Sequence, residues 1–173
     1  MRDMVLILNF DDACTRAIAR GLRAEHVYCK IVPGNIALEE VRAQQPLGVI
    51  LSGGVTGGVP GGMDMGLLQE GYPLLAMGDT AAMLCRALGG DAQETAICNS
   101  IGGAFARCTL TEGLDDCERM LHNVRRLRLP PGAQVLAESQ HETVGYMLSE
   151  RNLYAVQFTL EQNDTDGMRL LLN

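Results

Sequence analysis

The chain has 173 residues, enough to bury a core without staples, and its apolar residues (47%) include no run long enough to span a bilayer. A net charge of −7 argues against general binding to a nucleic-acid phosphate backbone. Six cysteines show no C-x-x-C pair and no ligand spacing to His26, His122 or His141. That pattern argues against a zinc site and for reduced, mostly buried thiols, hence a cytoplasmic protein with no metal and no cofactor.

In chain order, Val5 to Phe10 predicts a first buried strand; the charged start and short apolar run are too brief for a signal peptide. Asp11 and Asp12 are cap candidates for a helix over Ala13 to Ala24, which Gly21 weakens by about 1 kcal/mol relative to Ala. His26 to Val32 predicts a second strand, ended by Pro33-Gly34. A short helix over Ala37 to Gln44 points Leu38 and Val41 inward, and Leu47 to Leu51 is a third strand. The segment S-G-G-V-T-G-G-V-P-G-G then carries six glycines in eleven residues, Ser52 to Gly62. It reads either as a flexible connection or as a loop of backbone donors that approaches a ligand closely. Composition alone does not separate the two.

Pro73 to Met77 is an apolar run that meets a sharp turn at Gly78 and Asp79. A helix follows, with Ala82, Met83, Arg86 and Ala87 at helical spacing and Gly89-Gly90 as its stop. A strand turning abruptly into a helix is the geometry of a nucleophile elbow, which raises one side chain above the end of a sheet. Here the apex is Gly78, which has no side chain to raise. Asp79 reads as the N-cap of the following helix.

The second half offers strands at Ala104 to Leu110, Val135 to Glu138, Glu142 to Leu148 and Leu153 to Phe158, then a helix over Thr165 to Leu172. Arg125, Arg126 and Arg128 form a local basic run, read as a solvated loop face in preference to an anion site. Alternating strands and helices imply an α/β fold: a mostly parallel, flavodoxin-like sheet with helices on both faces, plus a smaller antiparallel portion in the C-terminal half. No repeat or linker divides residues 1–173, so one domain is expected. Sites in such sheets form beyond the carboxyl ends of the strands.

Several stretches together resemble the class I glutamine amidotransferase domain, most closely its GMP synthetase type. They are I-L-N-F-D-D-A-C-T-R-A-I-A-R-G-L-R, V-Y-C-K-I-V-P, L-E-E-V-R-A-Q-Q-P-L-G-V-I-L-S-G-G, P-L-L-A-M-G-D-T-A-A-M-L-C-R-A-L-G-G, M-L-H-N-V-R-R-L-R-L-P-P-G and Y-A-V-Q-F-T-L-E. The resemblance covers nearly the whole chain in order. It implies glutamine hydrolysis by a cysteine at the elbow, a histidine base, and a glutamate two residues on that orients it. Such chemistry needs a thiolate lowered in pKa by the imidazole.

Carried over residue by residue, the nucleophile falls on Gly78, the base on Thr159 and the orienting acid on Glu161. The family's glutamine-contacting Gln falls on Ala82, the Pro of its oxyanion loop on Val55, and the Asp of its S-H-G-D stretch on Val124. His122 matches the His of that stretch, which is not the general base. Two of the three catalytic groups are replaced, and Cys85, two helical turns past Gly78 and about 10 Å along the axis, cannot substitute. What the resemblance leaves is the oxyanion scaffold: the N–H groups of Gly53, Gly54 and Asp79.

Three functions follow. The first is a domain without glutaminase activity that acts by binding another protein, such as a synthetase or amidotransferase subunit. The chain carries no ATP-pyrophosphatase segment of its own, so the partner is expected in trans; homo-oligomerisation stays open. The second is a small-molecule module that senses glutamine or a nucleotide. The third is a divergent enzyme using Asp79, Thr159, Glu161 or His122 in new roles.

Overall fold

The computed structural model describes residues 4–53, 62–94, 101–105, 111, 117–119, 125–139 and 142–158. Among these, the main sheet has nine strands in the order β2-β1-β3-β4-β11-β10-β9-β6-β7. The parallel half comprises β1 (Val5–Asn9), β2 (Cys29–Pro33), β3 (Gly48–Ser52), β4 (Leu74–Met77) and β11 (Leu153–Val156). The antiparallel half adds β10 (Glu142–Leu148), β9 (Gln134–Ser139), β6 (Ile101–Phe105) and β7 (Cys117–Arg119). A separate antiparallel pair joins β5 (Asp91–Glu94) to β8 (Arg125–Arg128). The expected combination of a parallel sheet with a smaller antiparallel portion is what the chain forms.

Strand alternation sorts the core into two layers, because successive side chains point to opposite faces. Leu6, Leu8, Val49, Leu51, Leu74 and Ala76 face one side, where helices α2 (Leu38–Gln44) and α3 (Asp79–Ala87) pack. Ile7, Ile50, Leu75 and Met77 face the other, where Ile18, Ala19 and Leu22 of helix α1 (Asp12–Ala24) cover them. Asp11 caps α1, its carboxylate accepting from the Cys14 N–H at 2.8 Å. The second strand starts later than His26, because that residue takes a left-handed φ of 61° in the turn that closes α1. The His26 and Val27 N–H groups donate back to Arg23 and Leu22 carbonyls there.

Three strands arise where no strand is expected from the sequence: β5, β7 and β8. Their segments D-A-Q-E, C-E-R and R-R-L-R are short and polar and offer little apolar alternation. The expected strand at Ala104 to Leu110 overlaps β6 only at its start, and its remainder lies outside the described residues, as does the expected helix over Thr165 to Leu172. Among the described residues no helix is long and apolar enough to cross a membrane.

Tyr146 on β10 ties the two halves together. Its ring is fully buried and its hydroxyl donates to the Ala81 carbonyl of α3 at 2.9 Å. Burial, then the nearby Cys85 thiol, pushes the Tyr146 hydroxyl pKa far up, so the folded protein holds it protonated. An unfolded chain ionises this group near the ordinary tyrosine value of about 10, so its contribution is intact below that pH and is lost as pH rises above it. Tyr146→Phe should therefore lower stability by about 1 kcal/mol at neutral pH and flatten the alkaline fall. Urea melts of both proteins across the alkaline range check it; identical pH profiles would contradict it.

Candidate functional site

The carboxyl ends of β1, β3, β4 and β11 meet at one rim, and the elbow sits at its centre. β4 lies between β3 and β11 and runs straight into Gly78. The Gly78 N–H points to the Val156 carbonyl (2.9 Å) and the Phe158 carbonyl (3.2 Å), and its own carbonyl accepts from the Ala81 N–H at 3.1 Å. Its backbone lies at φ 66° and ψ −133°, a region costly to any residue with a side chain. Thr80, fully buried, sets its hydroxyl 2.7 Å from the Met77 carbonyl and 3.0 Å from that of Leu51. These bonds fix the elbow to β3, β4 and β11 at once. The sharp turn has a positive φ at its apex, where Gly78 carries no side chain.

Gly78→Cys tests that strain. A side chain at this φ costs about 1–3 kcal/mol, so the variant should melt below the parent by roughly 2–4 °C for each kcal/mol lost. A variant melting above the parent would show that the turn carries no such strain.

Gly53 is expected to turn its N–H to a ligand, and the structure corrects this. That N–H donates to the Met77 carbonyl at 3.0 Å. The residue lies flat against the elbow: a Cβ there would stand 2.8 Å from the Met77 oxygen and from the Thr80 nitrogen, and 3.0 Å from the Asp79 nitrogen. Gly54, His122, Thr159 and Glu161, with Val55, Val124 and most of the glycine-rich loop, lie outside the described residues.

Asp79 is not the N-cap. Gly78 holds that position without a side-chain bond, and Asp79 is the first residue of α3. Its carboxylate instead meets the Arg125 guanidinium, Oδ1 to Nη1 2.5 Å, with the two side chains only 10% and 12% exposed. The basic run is likewise not a solvated loop face. It is strand β8, whose alternation turns Arg125 and Leu127 inward and Arg126 and Arg128 outward. Arg126 pairs with Glu142 at 2.5 Å on the surface.

Gln157 explains why Arg125 stands where it does. This buried amide accepts from the Arg125 N–H (2.8 Å) and donates to the Arg125 carbonyl (2.8 Å) and the Thr143 carbonyl (3.2 Å). Its side chain thereby acts as one rung of a sheet, pinning β8 beside the end of β11. A polar residue inside the apolar Y-A-V-Q-F run is the signal that could have found it. A second network links Asn9, Asp12, Thr15 and Ser52: Asn9 donates to Asp12 (2.6 Å), and Thr15 reaches both Asn9 (2.9 Å) and the Ser52 hydroxyl. Thr15 and Ser52 are buried, so this network stiffens the rim.

Cys85 brings no substitute nucleophile. It is fully buried in α3 with its sulfur 3.4 Å from the Asp91 and Arg128 carbonyls, and burial pushes its thiol pKa up. The thiolate needed for attack is disfavoured there. Ala82, buried in the same helix, offers no polar contact for a glutamine side chain. Away from the elbow, an open groove of about 510 Å³ runs over the ends of β1 and β2, lined by residues including Asn9, Phe10, Pro33, Gly34 and Asn35.

A parallel sheet ending in a strand-to-helix elbow, with helices on both faces, defines an α/β protein of the flavodoxin-like class. A TM-score of 0.80 with a GMP synthase subunit from Thermoplasma acidophilum, at 19% identity and over 99% of this chain and 92% of that one, agrees with that fold. Residues 6–173 match the glutamine amidotransferase class-I family, and the chain belongs to it. The chain is also 35% identical to a GMP synthase [glutamine-hydrolyzing] from Bartonella quintana and 30% identical to one from Natranaerobius thermophilus, with 99% of this chain matched in each case. It spans only 36% and 35% of the lengths of those two relatives.

Proposed function

We propose that this chain is a GMP-synthetase-type amidotransferase domain without glutaminase activity, which works in a cytoplasmic setting by binding a partner subunit. One observation carries the reading: the elbow keeps its positive-φ turn and its bonds to three strands while its apex, Gly78, has no side chain. Cysteine chemistry needs a thiolate and an adjacent base, and the positions of both, Gly78 and Thr159, hold neither. Acyl transfer without its nucleophile and base keeps only what oxyanion donors and binding supply. Here the Gly53 donor is spent on Met77 as well.

The partner is proposed to be a synthetase or amidotransferase subunit. Support comes from the subunit naming of the Thermoplasma acidophilum protein. The experiment is purification of the native protein at its natural concentration, with mass spectrometry of what accompanies it. A stoichiometric synthetase-type subunit is expected. A lone protein at physiological concentration would contradict the reading.

The groove over β1 and β2 favours a second reading, a small-molecule module. A panel of amino acids and purine nucleotides in a thermal-shift assay separates the two, since a ligand at 100 times its Kd stabilises by about 2.7 kcal/mol. A specific shift that Phe10→Ala removes would favour the module.

A further inference from the structure

The Asp79–Arg125 pair sits on the rim, at the residue that follows the apex of the elbow. Arg125 comes from a strand 46 residues later in the chain and is held by both backbone groups on Gln157. Its guanidinium is thus a prepositioned, nearly buried cation at the first turn of α3. A cation so placed is a natural receptor for an oxyanion, because guanidinium–carboxylate and guanidinium–phosphate contacts are strong and directional. The anion it holds belongs to the protein itself.

We propose that the Asp79 carboxylate is an internal plug: it occupies the oxyanion position on Arg125, so that the rim above the elbow accepts no carboxylate or phosphate from solution until that carboxylate is removed. The plug is a specificity device. It excludes from the elbow any ligand that must present an anionic group to Arg125, an amino acid's carboxylate included, by neutralising that guanidinium from within the chain. Docking of another protein over the rim then needs no displacement of bound metabolite anions. The plug concerns the same site as the proposed function but does not depend on the absence of glutaminase, and its readout is separate.

The test is the melting temperature of the full chain in sodium phosphate and in sodium sulfate, each against sodium chloride at matched ionic strength. For the parent, phosphate and sulfate should add only the gradual, non-saturating rise common to kosmotropic anions. Asp79→Ala should melt lower in chloride and regain about 3 °C or more, saturably, in phosphate and sulfate. Asp79→Ala combined with Arg125→Met should lose that regain, because the receiving guanidinium is gone. Asp79→Ser, which keeps a hydroxyl beside Arg125, carries the same comparison where the alanine variant does not fold at all. A saturable rise in the parent that Arg125→Met abolishes would overturn the plug. So would a folded Asp79 variant that gains nothing from either anion. Neither result would alter the expected absence of ammonia release, so the two proposals fail independently.

Discussion

Replacing Arg125 or Asp79 singly should be the most damaging change to this fold, and the two should not be equal. Deleting one partner of this largely buried ion pair leaves the other charge unpaired; with the side chains 10% and 12% exposed, the loss lies at the lower end of that for buried pairs, about 3 kcal/mol. With roughly 2–4 °C lost per kcal/mol in a domain of this size, the melting temperature should fall by about 10 °C. Arg125→Met leaves a carboxylate in the first turn of α3, where the helix's positive end favours it. Asp79→Ala leaves a guanidinium facing that same positive end. Asp79→Ala should therefore cost more. The double variant Asp79→Ala with Arg125→Met should recover most of the loss, since neither charge is left without its partner. Chemical denaturation of the four proteins gives the coupling energy directly. Additive single losses would show that the pair is not coupled and does not hold the rim together.

Gly53→Ala should follow in size. Its added carbon would meet three backbone atoms at 2.8–3.0 Å: the Met77 oxygen and the nitrogens of Thr80 and Asp79. None can turn away as a side chain can. Relief requires β3 to part from the elbow, breaking the Gly53-to-Met77 bond, and overpacking of this kind costs about 1–3 kcal/mol or more. Gly34→Ala is the control. Its added carbon meets the Phe10 ring, which lies beside an open groove and can swing. The Gly34 variant should lose less. Equal melting temperatures for the two variants would contradict the reading of Gly53 as a contact required by the elbow.

The parallel half of the fold is legible in the sequence because its strands are buried on both faces. V-L-I-L-N, G-V-I-L-S and L-L-A-M are nearly continuous apolar runs, each ended by a turn residue or a cap. The elbow is legible for the same reason: an apolar run, a glycine, then helical spacing. The β5–β8 pair is not, since D-A-Q-E and R-R-L-R acquire strand geometry from each other and from α3 rather than from local pattern.

The chemistry of the rim divides in the same way. The empty apex is a local fact, read from Gly78 alone. The partner of Asp79 is a long-range fact: Arg125 reads as a surface charge until Gln157 and the alternation of β8 turn it inward. Likewise nothing in S-G-G tells which way the Gly53 N–H points; the elbow's own Met77 carbonyl decides that.

The central claim is that an intact elbow has been left without chemistry. Ammonia release from glutamine by the purified chain, alone and after cell extract is added back, tests it most directly. The chain alone should release no more ammonia than a buffer blank, and any activity in the mixture should come from the extract. Release by the chain alone, abolished when the protein is unfolded, would mean that a nucleophile other than residue 78 serves the site, and the central claim would be wrong.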